Sequence, residues 1–152
     1  MGVWRRVVAR RVQTMFADLS RGEHERVIAA LAPDVHHSFA GEHALGGERH
    51  DRPAVAAWFG RLSRLCPDMR FVVRDVLSSG PPWDLRVGVE WVAHVRPAAG
   101  PAYENHGAHM IRIVRGRVSE LHAYEDSQLV AAACARMAAA GIDEAAAEPI
   151  TS

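Results

Sequence analysis

Apolar residues in the first part of the chain recur at helical spacing and predict amphipathic helices. The first helix is predicted over residues 3–19, where the apolar side chains fall on one face. These side chains are Trp4, Val8, Val12, Met15, Phe16 and Leu19. A short second helix follows and is predicted to end near Pro33. Its inner face carries Val27, Ile28 and Leu31.

A third helix is predicted to begin after Asp51, whose carboxylate can accept hydrogen bonds from the first free backbone N–H groups. Pro53 is tolerated in the first turn, and Pro67 ends the helix. The apolar side chains on its inner face are Val55, Trp58, Phe59, Leu62 and Leu65. Between the second and third helices the pattern predicts a short strand over 35–39 and a loop over 41–52.

After Pro67 the apolar period changes to two, which indicates β-strands. Two strands are predicted over 70–78 and 85–96, and a hairpin follows with the arms YENHGAHMIRIV and VSELHAYED. A final helix, capped by Asp126 or Ser127, then runs to about residue 141. This order predicts an α+β fold in which helices are cupped by a curved antiparallel sheet that forms a ligand pocket.

The length and composition are those of one globular domain with no electrostatic specialisation. The chain has 152 residues, of which 49% are hydrophobic and 24% charged, and 18 basic residues balance 18 acidic ones. This balance gives no reason to expect nucleic acid or an acidic membrane as a partner. We expect the domain to cover 1–142 and a loosely held tail to cover 143–152.

Residue usage narrows the chemistry and the compartment further. Every basic residue except the histidines is Arg, which excludes Schiff-base catalysis by lysine and, with abundant Ala, is typical of a GC-rich genome such as an actinobacterial one. Cys66 and Cys134 lie in apolar helical patterns and are predicted to be buried free thiols. The N-terminal segment has neither a secretory signal nor a membrane span, so a cytoplasmic location is expected.

The order of elements, closed by IRIVRGRVSELHAYED, resembles the SnoaL-like branch of the nuclear transport factor 2-like superfamily. The resemblance implies a cone-shaped fold with N-terminal and central helices, one apolar pocket and a convex sheet face that commonly pairs two subunits. Its members include polyketide cyclases, ketosteroid isomerases, limonene-epoxide hydrolases, dehydratases and non-catalytic binders. The fold alone therefore does not choose a reaction.

Two well-known catalytic sets of this superfamily are absent at the matching positions. The resemblance places the ketosteroid isomerase residues at Met15, Phe39 and His109, of which only His109 can donate a proton. The epoxide hydrolase residues would fall at apolar Trp91, Ala93, Ala123 and Phe39, and at His37. The chain therefore most resembles the loose SnoaL-like cyclase group. Members of this group use a pocket Asp and His as acid and base.

Strand alternation selects four candidate catalytic residues. His109 and His37 are predicted to face the pocket, where neutral imidazole can accept or donate a proton near neutral pH. Glu125 faces inward if the last strand stays regular, and a carboxyl group in an apolar cup would have a raised pKa. Asp126 matches the family habit of an acid before the last helix, although it is also a good helix N-cap. The sequence does not decide which of Glu125 and Asp126 faces the pocket.

The same alternation separates predicted ligand contacts from an outer surface. Residues predicted to contact the ligand are Met15, Phe39, Trp58, Trp91, Asn105 and Ile111. Tyr124 falls on the outward face, together with Glu90, His94, His106, His122 and Arg112. We expect this outer sheet face to form a homodimer interface.

No metal or cofactor is expected from the sequence. The chain has nine histidines, but His106 and His109 point to opposite faces of a strand, as do His36 and His37. His43 and His50 fall in the predicted loop, and no cysteine pair has chelating spacing. Phosphate-binding loops and a nucleophile elbow are also missing.

The sequence leaves two functional hypotheses. The first is an enzyme of secondary metabolism that performs cofactor-independent acid/base cyclisation, isomerisation or dehydration of an apolar, polyketide-like substrate. The second is a small-molecule binding protein or dimeric scaffold of the same fold without chemistry. A pocket that brings His109 and a carboxyl group together favours the enzyme, whereas a pocket with no inward carboxyl group favours the binding protein.

Overall fold

A computed structural model describes residues 2–152 and contains four α-helices and six strands. The helices are α1 (Gly2–Ser20), α2 (His24–Ala29), α3 (Arg52–Leu65) and α4 (Ser127–Ala139), followed by a short 3-10 helix over Asp143–Ala146. The strands are β1 (Leu31–Phe39), β2 (Gly47–Arg49), β3 (Asp68–Ser79), β4 (Asp84–Arg96), β5 (Tyr103–Val114) and β6 (Arg117–Glu125). The predicted α+β fold is confirmed.

The six strands form one sheet in the order β2-β1-β6-β5-β4-β3. All neighbours are antiparallel except β1 and β6, which run parallel. The register shifts between Val73 and Asp75 and again between Arg112 and Ile113. Such irregularities increase the local twist, and they bend the sheet around the helices.

The concave face of the sheet carries the apolar residues that the alternation predicts. On β4 the inward positions are all buried, and they are Leu85, Val87, Val89, Trp91, Ala93 and Val95. The predicted inner faces of α1 and α3 supply the opposite wall of the core, including Phe16, Trp58 and Leu62. Trp4, which was predicted on the inner face of the first helix, is exposed instead. Both cysteines are buried free thiols, as predicted. Within residues 2–152 no helix combines the length and apolar character that a bilayer crossing requires.

Two boundaries near the start of the sheet differ from the prediction. The second helix ends at Ala29, and Leu31 and Pro33 already belong to β1. Pro33 lies where the pairing of β1 with β6 is irregular, between Leu31 and His36, so its missing N–H leaves no gap in the ladder. The predicted loop over 41–52 contains β2, which pairs with the end of β1.

The segment after α4 packs against the domain, although we expected it to be loosely held. The Arg64 guanidinium makes two hydrogen bonds of 2.8 and 2.6 Å to the Glu144 carboxylate. Further along, Arg49 donates to the carbonyl oxygen of Ile150 at 2.7 Å. The backbone N–H of His50 donates to Ser152 Oγ at 2.8 Å. The tail therefore closes over the β2 edge of the sheet.

Gly107 keeps open the space in which the Trp91 ring lies. It is paired with Trp91 on β4 and with Glu125 on β6. A Cβ atom at this position would lie 2.5 Å from the Tyr124 carbonyl oxygen and 2.7 Å from Cη2 of Trp91. No larger side chain fits unless the backbone or the indole moves.

Replacing Gly107 with alanine is expected to lower the free energy of unfolding by about 1–3 kcal/mol because it overpacks this contact. Urea unfolding measures the change. Gly88→Ala is the matched control on β4, since a Cβ there would meet only Met110 Sδ at an ordinary 3.6 Å. Equal losses of unfolding free energy in the two variants would mean that the space beside Trp91 does not require glycine at position 107.

Asp126 caps α4, which was one of the two alternatives for this residue. Its side chain accepts hydrogen bonds from the backbone N–H groups of Gln128 at 3.0 Å and Leu129 at 3.4 Å. Asp126→Ala should therefore destabilise the protein by about 1 kcal/mol, while Asp126→Asn keeps the acceptor and most of the stability. Chemical denaturation distinguishes them. The same loss in both variants would mean that the charge matters and the cap does not.

Candidate active site

The candidate site is an apolar cavity between the concave sheet and helices α1, α2 and α3. Its volume is about 40 Å³, which is room for a few water molecules. Its polar or titratable lining groups are His37, His109, Glu125, Tyr103 and Cys66. The predicted contacts Met15, Phe39, Trp58 and Trp91 also line it.

Strand pairing sets the relation between His109 and Glu125. Glu125 on β6 pairs with Gly107 on β5, and His109 on β5 pairs with Ala123 on β6. The two side chains are therefore diagonal neighbours on one face of adjacent strands, a relation that separates backbone positions by roughly 7–8 Å. Both side chains line the same cavity.

The protonation of His109 is fixed by Trp91. The Trp91 indole donates to Nδ1 of His109 over 2.8 Å, and both residues are buried. Because an indole N–H can only donate, Nδ1 must be the acceptor and the proton of the neutral ring lies on Nε2. Burial, followed by the nearby His122, lowers the pKa of His109 to about 3. At neutral pH His109 is a hydrogen-bond donor.

The tautomer of His37 is fixed in the same way by a residue that the sequence analysis missed. Nε of Arg49 donates to Nδ1 of His37 over 2.8 Å, so the neutral His37 ring also carries its proton on Nε2. Burial and then the positive charge of Arg49 lower the pKa of His37 well below its ordinary value. His37 packs edge-on against Trp58, with ring centroids 4.6 Å apart.

Arg49 is fully buried, and its remaining hydrogen bonds go to backbone carbonyl groups. The guanidinium donates to the carbonyl oxygens of Gly46 at 3.0 Å, Gly47 at 2.7 Å and Ile150 at 2.7 Å. It also lies 5.4 Å from the centre of the Trp58 ring, a cation–π contact. These contacts satisfy a buried charge without a carboxylate. No sequence pattern indicates this role, because Arg49 lies on β2, a strand of three residues that is too short to show a period.

Glu125 supplies the carboxyl group of the cavity. Its burial, followed by the neighbouring charge of Asp126, raises its pKa to about 8. Burial also raises the pKa of Tyr103, so its phenol stays protonated. The cavity thus combines a carboxyl group that titrates near neutral pH with two histidines held as neutral donors. This arrangement can move a proton and stabilise negative charge on oxygen.

Three predicted site residues are not brought into this cavity. Asp126 is exposed at the start of α4. The Asn105 side chain is buried and exchanges two 3.1 Å hydrogen bonds with the backbone of Asp126, so it ties β5 to the end of β6. Ile111 is buried and, together with Met15, lines a separate cleft under α1.

Several lining residues were not identified as ligand contacts from the sequence. They are Leu45, Met69, Phe71, Ala93, Val95, Leu121 and Val130, together with further apolar side chains of the helices. Phe71 packs edge-on against Trp91 at 5.0 Å between ring centroids. The alternation of β3 could have indicated it. Among residues 2–152 no three ligand atoms suited to a metal ion gather in the cavity; one such group lies outside it.

Solved structures with the same fold include several small proteins of low sequence identity. An NTF2-like protein of unknown function from Burkholderia pseudomallei is 23% identical with a TM-score of 0.71, over 80% of this chain and 92% of that one. A protein provisionally named scytalone dehydratase, from Novosphingobium aromaticivorans, has a TM-score of 0.70 at 14% identity over 81% and 84%. One provisionally named polyketide cyclase, from Xanthomonas campestris, has a TM-score of 0.58 at 20% identity over 78% and 89%.

These structures establish the cone-shaped fold. A comparison with curated protein sequences finds no match. The SnoaL-like domain, in contrast, matches residues 12–121, which is more than half of the chain and includes β1 to β5 and α3. The protein therefore belongs to the SnoaL-like family, with the nuclear transport factor 2-like fold that its sequence resembles.

Proposed function

We propose that this protein is a cofactor-independent enzyme that removes a proton from the carbon next to a carbonyl group of an apolar, ring-bearing substrate. Aldol cyclisation, isomerisation of an unsaturated ketone and dehydration of a β-hydroxy ketone can all begin with this step. The observation that carries the proposal is one apolar cavity in which Glu125 and the Nε2–H donor of His109 are diagonal neighbours.

In the proposed step the Glu125 carboxylate takes the proton, and the electron pair of the broken C–H bond moves into the carbonyl group. The resulting enolate oxygen accepts a hydrogen bond from Nε2 of His109. Because His109 is neutral and already oriented by Trp91, this donor needs no reorganisation during the reaction. The protonated Glu125 then returns the proton to carbon or to a departing hydroxyl group.

His37 is proposed to bind a second oxygen atom of the substrate. It lies on β1, and β6 separates it from His109 on β5, so the two donors start from strands roughly 10 Å apart. A substrate with two separated oxygen functions, as in a polyketide, would engage both. Trp58 packs against both His37 and Phe39, and these aromatic side chains would hold the substrate ring, which contributes orientation.

Substrate entry requires movement of lining side chains, because about 40 Å³ is too small for a ring system. Met15 and Met69 line the cavity and are only partly buried. Unbranched thioether side chains change rotamer at low energetic cost. We therefore propose that these methionines move to admit the substrate.

Structural neighbours provisionally named scytalone dehydratase and polyketide cyclase favour a polyketide-type substrate.

The outer face of the sheet is proposed as a homodimer interface, because it exposes apolar and aromatic side chains in a patterned surface. They include Val72, Leu77, Met110 and Tyr124. We also propose that the protein is cytoplasmic.

Binding without chemistry is the alternative function. The apolar lining of the cavity favours it, since such a site can enclose a ligand without providing a reaction. The two functions differ in whether Glu125 exchanges protons with a bound ketone.

The raised pKa of Glu125 predicts a specific dependence of stability on pH. The protonated form is favoured by folding, so its contribution is fully present below pH 4.5 and is lost as the pH rises to about 8. The free energy of unfolding of the wild type, minus that of Glu125→Gln, should fall over this range and level off above it. Urea titrations at several pH values measure the difference, and a constant difference would contradict the raised pKa.

Hydrogen–deuterium exchange at the α-carbon of small bicyclic ketones, such as β-tetralone, tests the proposed chemistry by NMR. The wild type should accelerate exchange, with a rate that rises with pH and levels off above about pH 8, where Glu125 is mostly ionised. Glu125→Gln and His109→Ala should each lower the rate by about 100-fold or more.

Glu104→Gln is the matched control, because this exposed glutamate lies on the surface and pairs with His94. It should leave the exchange rate unchanged. A ketone that binds the wild type without faster exchange would support the binding function instead. If the protein accelerates α-carbon exchange in none of a panel of such ketones, the proposed reaction is wrong.

A further inference from the structure

His36, Glu48 and His50 form a cluster on the outer face of β1 and β2, on the side opposite the cavity. The pairing of His37 with Arg49 places His36 opposite His50 on these antiparallel strands. Glu48 lies two residues before His50 and therefore projects from the same face. The sequence alone does not group these residues, because β2 falls in the predicted loop over 41–52.

The ligand atoms of the cluster lie close together. Nε2 of His36 is 3.3 Å from Oε2 of Glu48, and Nε2 of His50 is 3.9 Å from the same oxygen. The two imidazole rings are stacked with centroids 4.5 Å apart. One nitrogen from each histidine and one carboxylate oxygen all lie within 4.8 Å of one another.

The orientation of His50 leaves a lone pair directed into the cluster. Its Nδ1 lies 2.7 Å from the carbonyl oxygen of Ser152. A carbonyl oxygen can only accept, so Nδ1 carries the proton, and Nε2 of the neutral ring is an acceptor. This Nε2 atom lies 3.9 Å from the Glu48 carboxylate, so a cation placed between the two groups would be bound by both.

We propose that His36, Glu48 and His50 bind a divalent transition-metal ion such as Zn²⁺. Two imidazole nitrogens and a carboxylate oxygen are a ligand set that Zn²⁺ takes, with a fourth position left for water. With bonds of about 2.0–2.1 Å, the ligand atoms of a tetrahedral site lie about 3.3–3.4 Å apart. The 3.3 and 3.9 Å separations are close to this value. The two imidazole nitrogens lie within 4.8 Å of each other, and the stacked rings must rotate so that both lone pairs point at one ion.

The surroundings of the cluster match those of a metal-bound histidine. Histidine ligands commonly donate their second N–H to a carbonyl group, as His50 does to Ser152. His36 is flanked edge-on by His122, whose Nδ1 is 2.6 Å from Ser38 Oγ. The ion would join β1 to the three-residue edge strand β2 and, through His50, to the C-terminal tail.

Isothermal titration of the untagged full-length protein with zinc chloride in a non-chelating buffer tests the site. We expect one ion per chain. His36→Gln, Glu48→Gln and His50→Gln should each weaken binding by about tenfold or more. His106→Gln is the matched control, since it changes an exposed outer-face histidine on β5 that lies outside the cluster, and it should leave the affinity unchanged.

NMR of the wild type gives a second measurement that does not depend on whether the variants fold. Zinc should shift the Nε2 resonances of His36 and His50 and leave that of His106 unaffected. Binding also raises the melting temperature, because the ion binds the folded state. Absence of zinc binding, or binding that the three cluster variants leave unchanged, would overturn the proposal.

Discussion

The candidate site depends on a constraint that burial places on its two histidines. An imidazole among apolar side chains is stable there when it is neutral and its polar atoms have partners. Trp91 supplies a donor to His109, and Arg49 supplies one to His37. Because both partners can only donate, they also select the tautomer. The groups offered to a ligand are therefore determined by residues that need not touch it.

The groups that accept hydrogen bonds from Arg49 also help to keep His37 neutral. A carboxylate beside the guanidinium would satisfy its charge but would also cancel the field that it exerts on His37. The carbonyl groups of Gly46, Gly47 and Ile150 satisfy the donors while leaving the positive charge in place. This charge adds to burial in keeping His37 neutral. The C-terminal tail, through Ile150, is thus part of the construction of the site.

The sequence predicts the regular parts of this molecule and fails where the backbone is irregular. Alternation on β4 and β5 follows a simple period, so the inward positions of Trp91 and His109 follow from the order of residues alone. The choice between Glu125 and Asp126 required the hydrogen bonds that cap α4, since alternation and family habit favour different residues. The role of Arg49 depends on β2, and a three-residue strand after a glycine-rich turn has no detectable period. Its contacts with Ile150 join positions 101 residues apart, which local pattern cannot indicate.

The register of β1 and β2 connects the two faces of the sheet. A shift of β2 by one residue would turn Arg49 to the solvent and Glu48 or His50 toward the core. Such a shift would leave His37 without its donor and would bury a carboxylate among apolar side chains, which is energetically costly. The interior contacts of Arg49 therefore also determine which side chains meet outside. The cluster of His36, Glu48 and His50 follows from the arrangement of the cavity, since both are consequences of one pairing of two strands.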